Sequence, residues 1–295
     1  MKNWLKLLTG KSAAPHWWQG GAYLKVLDIH AVAYSEKYAT SPDLTAPMQQ
    51  VQELVHKAHA SGHSFVSLAE LLHGDLPADR PCILVTFDDA YACIQDAVTW
   101  LTAHGVPCAI YACSLHSATG RGYWWDTLRQ ERLTRGATEA EIQRETKQLK
   151  TFSPQQIDDY LAKAFSAACV DQQREATRAL LPQEISAMVK HPLVAFGNHT
   201  HRHAILTNLN EAQMIEELTE CQRGLQEWTG TAPTTLVYPN GFHDQRVRDV
   251  TERLGFKAAF TTRPGLLPLP LRMKADERLR IGRWLEEPFA GLSAD

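Results

Sequence analysis

Apolar positions along the chain follow two rhythms. Residues 26–29 form a short apolar run broken by Asp28, and residues 83–87 are almost continuous in apolar and β-favouring side chains. A run without alternation suits a strand covered on both faces of a parallel sheet. The same signature returns at residues 108–112 and 193–196, and in shorter form at 236–238, 258–262 and 279–281. Between these runs the spacing is helical. Val51, Leu54, Val55 and Ala58 share one helical face, and Gly62 stands just past the expected end. Residues 90–104 read as a helix closed by Gly105. Asn210 is placed to cap a helix over 211–228, with Gln213 positioned for the reciprocal contact, and a further helix ends near Gly255. Residues 83–112 therefore predict a βαβ unit.

The stretch 126–190 is different: rich in Glu, Gln, Arg, Ala and Leu, and without a strand signature, it predicts a helical insertion. The Pro- and Leu-rich residues 264–271 predict a loop. Alternating strands and helices point to an α/β fold, and a chain of 295 residues is compatible with one barrel-like unit spanning 1–295, since such barrels often reach ~250 residues as a single domain.

Composition narrows the function classes. With 44% apolar and 21% charged residues the chain has the make-up of an ordinary globular protein. A net charge of -3 supplies neither a basic footprint for nucleic acid nor a polybasic surface for anionic lipid. No transmembrane span is expected. The apolar stretch at residues 4–8 is shorter than the roughly 7–15 residues of a signal-peptide core, so a cytoplasmic location is expected. The six cysteines form no C-x-x-C pair, which favours free, mostly buried thiols over a zinc knuckle.

Three clusters carry chemistry. Thr86-Phe87-Asp88-Asp89 places two carboxylates at the end of an apolar strand, where α/β barrels build their active sites. Neighbours on extended backbone point in different directions, so one carboxylate could ligate a metal while the other faces an activated water; a plain strand-end turn is the alternative. His199-Thr200-His201-Arg202-His203 also follows an apolar run. His199 and His203 are four apart and would converge on one face of a helical turn, with His201 turned away. With one carboxylate they make a two-histidine, one-carboxylate site that suits zinc first, and also iron, cobalt or nickel. Tyr238-Pro239-Asn240-Gly241 is a strand running into a turn. Trp124 and Trp125, like Trp17 and Trp18, either stack on a sugar or pack in the core.

Together these clusters resemble the polysaccharide deacetylase family, the NodB-homology or carbohydrate esterase family 4 group. Thr86-Phe87-Asp88-Asp89 matches its T-F-D-D motif, residues 199–203 its H-[ST]-x-x-H motif, and Tyr238-Pro239 the core of its third motif in the Y-P-x-G subgroup. The resemblance implies a distorted (β/α) barrel of about seven strands that removes acetyl groups from amino sugars or, in some members, other acyl groups. It implies Asp89, His199 and His203 as ligands of a divalent metal, Asp88 as general base, and the backbone N–H of Tyr238 as oxyanion donor, with Pro239 and Asn240 beside the substrate.

Two features depart from the family pattern. An arginine usually stands three residues before the motif-three tyrosine; this chain has Thr235 there, and Arg280 is either its substitute or a surface charge. The C-terminal L-x-H acid is also missing. Residues 26–30 instead resemble the N-terminal L-x-Y-H segment of the biofilm-polymer deacetylase branch, which makes His30 the candidate proton donor, with a structural histidine as the alternative. The expected function is metal-dependent removal of acetyl from a sugar or glycan precursor. Deformylation or other amide hydrolysis at the same site, and a non-catalytic barrel used for binding, are the competing readings.

Overall fold

The computed structural model describes residues 21–33, 44–170 and 177–285; residues 4–8 and the Trp17-Trp18 pair lie outside them. The described residues contain eleven strands: β1 Tyr23–Ile29, β2 Ala31–Ala33, β3 Thr45–Pro47, β4 Ser64–Phe65, β5 Cys82–Phe87, β6 Cys108–Ala112, β7 Val194–Asn198, β8 Thr235–Val237, β9 Ala258–Phe260, β10 Leu266–Pro268 and β11 Trp284–Leu285. The main sheet runs β10-β1-β5-β6-β7-β8-β9, with every pair from β1 to β9 parallel and β10 antiparallel to β1. β4 lies beside β5, and β2 with β3 forms a separate ladder. The architecture is a distorted α/β barrel.

Strands β1, β5 and β6 are buried on both faces, and their two faces enter different cores. Leu27, Ile29, Ile83, Val85, Phe87 and Ile110 pack outward against the helices, together with Val51, Leu54 and Leu101. Leu24, Val26, Cys82, Leu84, Ala109 and Tyr111 point into the barrel, with Val237, Phe260 and Ile281. This is period-two alternation with both sides apolar, which is why the sequence reads as unbroken runs. Continuing the inward set by two residues reaches Asp28 on β1 and Thr86 and then Asp88 on β5. The barrel interior is therefore apolar below and charged at its carboxyl-end rim.

The last segment closes the barrel and departs from the sequence expectation. Residues 279–281 do not form a strand: a helix, Ala275–Arg278, ends there, and only Ile281 bridges Phe260 of β9. β11 then pairs with Leu27 and Asp28 of β1. One short segment thus spans the seam between the last and first strands. The expected loop at 264–271 also contains β10, which takes its partners from β1.

Helices Trp124–Thr134, Glu139–Leu149, Pro154–Ala164, Ala167–Val170 and Pro182–Met188 fill the chain between β6 and β7. Trp124, Leu128, Leu149, Ile157 and Leu161 give this segment its own apolar cluster. Asn208 pins it to the barrel by donating from Nδ2 to the carbonyls of Lys150 and Phe152. The helix Glu211–Thr229 begins with the reciprocal Asn210–Gln213 cap. No described helix is long and apolar enough to cross a membrane, and all six cysteines are free thiols.

Candidate active site

Four strand ends converge. β5 delivers Asp88 and Asp89, β7 delivers His199, β8 delivers the Tyr238-Pro239-Asn240 turn, and β1 delivers His30. Asp88 continues the strand, its N–H donating to the Ile29 carbonyl at 2.8 Å. Asp89 and Ala90 then take left-handed backbone, φ 64° and 50°. Non-glycine residues held there cost on the order of 1–3 kcal/mol each, and the surroundings fix them: the Tyr123 hydroxyl donates to the Asp89 carbonyl at 2.5 Å. The sharp turn, rather than simple strand alternation, separates the directions of the two carboxylates.

His199 and His203 meet, but not on a helical turn. Thr200 and His203 have φ of 66° and 54°, so residues 199–203 form a loop that folds back on itself. The loop is tied at several points. Thr200 N–H donates to Asn198 Oδ1 and Ala204 N–H to Thr200 Oγ1, both at 2.8 Å. The buried Glu217 carboxylate accepts from the Arg202 N–H at 2.8 Å and from Arg202 Nε at 3.0 Å. His201 turns away, 2.7 Å from Ser114 Oγ.

Asp89 Oδ1 lies 3.4 Å from Nε2 of both His199 and His203. One donor atom from each of the three falls within 4.8 Å of the others. The donor chemistry fits a divalent cation. Asp89 Oδ1 is buried and accepts no hydrogen bond. His199 Nδ1 lies 2.8 Å from the Val237 carbonyl, which fixes the proton on Nδ1 and leaves the Nε2 lone pair facing inward. Burial, reinforced by the neighbouring His199, keeps His203 well below the usual histidine range, hence neutral and able to ligate. Trp125 sets its ring edge against His203, 4.5 Å between centroids, and stacks on Tyr123. Trp124 is buried in the helical cluster. Both tryptophans therefore pack around the site rather than stand free.

Asp88 is held by an arginine that the sequence reading missed. Arg283 is fully buried and grips Asp88 in bidentate fashion, Nη1–Oδ1 2.7 Å and Nη2–Oδ2 2.6 Å. It also donates to Thr86 Oγ1 at 3.0 Å and lies 3.2 Å from Asp28 Oδ2. Burial alone would raise the Asp88 pKa; the Arg283 charge and hydrogen bonds overcome it and hold the group below the ordinary carboxylate range. Asp28 shares the same guanidinium less closely, and burial raises its pKa. Arg280, the sequence candidate, is half exposed and paired with Asp276 at 2.9 Å. The reason is alternation: Ile281 points into the barrel, so Arg283, two residues on in extended chain, does too, while Arg280 faces out. Reading Ile281 as an inward position would have found Arg283, and the lone charge in the β1 run would have flagged Asp28.

His30 caps β1 with its Nδ1 3.7 Å from Asp28 Oδ1, in a group with Asp28 and Asp88. Tyr238 is corrected in one respect. Its N–H donates to the Phe260 carbonyl at 3.1 Å and its hydroxyl to the Leu279 carbonyl at 3.0 Å, so both are committed to the scaffold. Pro239 is buried and has no N–H. Asn240, left-handed at φ 56°, is the next residue of the turn, and it lines a cavity shared with His203.

The chain resembles known proteins in sequence and in fold. Residues 75–259 match the family model described as polysaccharide deacetylase. Among solved structures, the chain is similar to the Streptococcus pyogenes deacetylase PplD in complex with acetate, at 16% identity and TM-score 0.62 over 92% of this chain and 95% of that one. It is likewise similar to IcaB from Ammonifex degensii, at 18% identity and TM-score 0.60 over 91% and 95%. A de-N-acetylase from Aggregatibacter actinomycetemcomitans aligns at 14% identity and TM-score 0.61 over 92% and 97%. With the family model covering more than half of its length and the T-F-D-D, histidine and Tyr-Pro motifs gathered at one rim of the barrel, this chain belongs to the polysaccharide deacetylase family.

Proposed function

We propose that the protein is a metal-dependent hydrolase that removes N-acetyl groups from an amino sugar in a glycan or glycan precursor. The observation that carries this reading is the pairing of a donor triad, Asp89, His199 and His203, with a second carboxylate, Asp88, locked in place by Arg283. Two imidazole nitrogens and one carboxylate oxygen suit zinc, and also cobalt, nickel or iron(II). Such an ion, when bound, supplies a Lewis acid that polarises the acyl carbonyl and acidifies water.

The chain's own groups do the rest. Asp88 accepts the proton of the attacking water at the carboxylate that Arg283 orients. Because the Tyr238 N–H is engaged and Pro239 has none, the N–H of Asn240 takes the role of donor to the oxyanion. His30, whose Nδ1 stands 3.7 Å from Asp28 Oδ1, gives a proton to the departing nitrogen. The likeness to a de-N-acetylase supports an N-acetylated substrate. The expected location is the cytoplasm.

The test is acetate release from a panel of N-acetylated sugars, with and without chelator. Activity should vanish with chelation and return with zinc. Asp88→Asn should keep its metal and lose ~10²–10⁴-fold in turnover, the range for lost general-base help. His30→Ala should impair N-acetyl substrates far more than an aryl acetate, whose phenolate leaves without a proton. Undiminished activity in a metal-free protein, or a metal-replete Asp88→Asn variant with normal turnover, would sink the reading.

A further inference from the structure

The three donor residues are supported from behind in different ways. The Tyr123 hydroxyl donates to the Asp89 carbonyl. His199 Nδ1 lies 2.8 Å from the Val237 carbonyl. His203 differs: its Nδ1 is buried and makes no hydrogen bond among the described residues. Metal-binding imidazoles almost always donate their second N–H to a carbonyl, a carboxylate or water, and that bond fixes the ring. His203 also stands outside regular secondary structure, on left-handed backbone with φ 54°. Neither a hydrogen bond nor a helix therefore sets the direction of this ring.

What meets the ring is aromatic. Trp125 stands against it with 4.5 Å between centroids and 62° between planes. The next rings are the fellow donor His199 at 4.8 Å and Tyr123 at 6.0 Å. Tilted contacts of this kind are directional, because the electron-rich face of one ring attracts the edge of another.

Trp125 is itself fixed at two points. Its Nε1 donates to the Tyr91 hydroxyl at 2.9 Å, and that hydroxyl donates to Asp126 Oδ2 at 2.8 Å. Its ring stacks on Tyr123 at 4.6 Å and 16°. Tyr91 and Asp126 are buried, whereas Trp125 is half-buried. Asp126 follows Trp125 in the chain, so the bonds close a circuit through Tyr91 back to the same helix. Both ends of the helical segment meet there. Trp125 and Asp126 lie in its first helix, Trp124–Thr134, and Ala179, near its exit, bridges Tyr91. Filling space needs no such tether. Trp124 is buried in the apolar cluster of the segment without a printed bond of its own kind, while Trp125 lies at the edge of that cluster and reaches the histidine.

We propose that Trp125, tethered by Tyr91 and Asp126, is a positioning residue for His203 and stands in for the hydrogen-bond acceptor that this imidazole lacks. The helical segment is then part of the outer support of the metal-binding triad. The inference rests on the reading of Asp89, His199 and His203 as metal ligands, and the two fail differently.

The experiment measures cobalt(II) affinity of the full chain by chelator competition. The visible d–d absorption, which reports coordination geometry, is recorded at saturation. Wild type is compared with Trp125→Leu, which removes the ring, and with Tyr91→Phe, which keeps both rings and cuts the tether. Leu161→Ala, which opens the apolar cluster of the same segment, is the control for general loosening. Circular dichroism checks the fold of each. Trp125→Leu should weaken affinity by about 10–100-fold, the range for lost outer partners of a ligand histidine, and should shift the saturated spectrum. Tyr91→Phe should move both readouts in the same direction by less. Leu161→Ala should keep the wild-type spectrum.

A wild-type protein that binds no cobalt would overturn the ligand reading and this inference with it. Cobalt binding with unchanged affinity and spectrum in Trp125→Leu would overturn the inference alone. So would a Leu161→Ala variant that reproduces the shift, since loosening of the segment would then suffice. Wild-type behaviour of Tyr91→Phe would overturn the tether and, should Trp125→Leu not fold, the proposal as a whole.

Discussion

Arg283 illustrates how much one residue depends on its surroundings. It stands fully buried between Asp88 and Asp28, and removing it would strand two carboxylates in the barrel interior. Breaking a buried pair in this way costs ~3–5 kcal/mol, so Arg283→Met should lower the urea midpoint sharply and abolish activity. Arg283→Lys is not conservative either, because an ammonium cannot reproduce the bidentate grip. Arg280→Ala, which removes only a half-exposed partner of Asp276, should leave both the midpoint and kcat unchanged. If Arg280→Ala proved the damaging substitution and Arg283→Met the silent one, the assignment of the arginine beside Asp88 would be wrong.

At the scale of an element, the decisive structure is the loop 199–203. Its two left-handed residues bring His199 and His203 together, and its shape is enforced from outside by Asn198 and by Glu217 of the helix Glu211–Thr229. Glu217 bonds the loop through Arg202, so its effect should appear in metal retention. Loss of such outer partners typically weakens metal binding by about 10–100-fold. A chelator-competition titration of Glu217→Ala should show a drop of that order, with secondary structure retained. Wild-type affinity in the variant would mean that the loop holds its shape without this anchor. Gly197, just before the loop, has a separate constraint: a Cβ there would overlap the Tyr111 ring, so even alanine requires that buried ring to shift.

For the molecule as a whole, the site is a joint between distant parts of the chain. Asp89 comes from β5 and the histidines from the loop after β7, with the entire helical segment between them in sequence. A cation bound only by the folded state stabilises it by mass action, about 2.7 kcal/mol when the free ion is at 100 times Kd. Chelation should therefore lower Tm in calorimetry, added zinc should restore it, and His203→Ala should show neither response. A Tm indifferent to chelator in the wild-type protein would argue that these three residues hold no ion.

The sequence by itself determined the elements and the cast of chemistry. Unbroken apolar runs placed β5, β6 and β7 within a residue or two, because a strand buried on both faces must be apolar throughout. Asn210 and Gln213 marked a helix start through a local cap that needs no tertiary partner. Adjacent carboxylates and closely spaced histidines named the candidate donors, which the fold brings together. What the tertiary structure alone decided was which distant groups answer them. Arg283 reaches Asp88 only because the last segment crosses the seam between β9 and β1. The Tyr238 N–H is occupied only because β9 lies alongside. The histidines converge through left-handed backbone that a helical spacing rule cannot express. Local pattern records which face of an element is buried, whereas the identity of the partner across that face is set by the closure of the barrel.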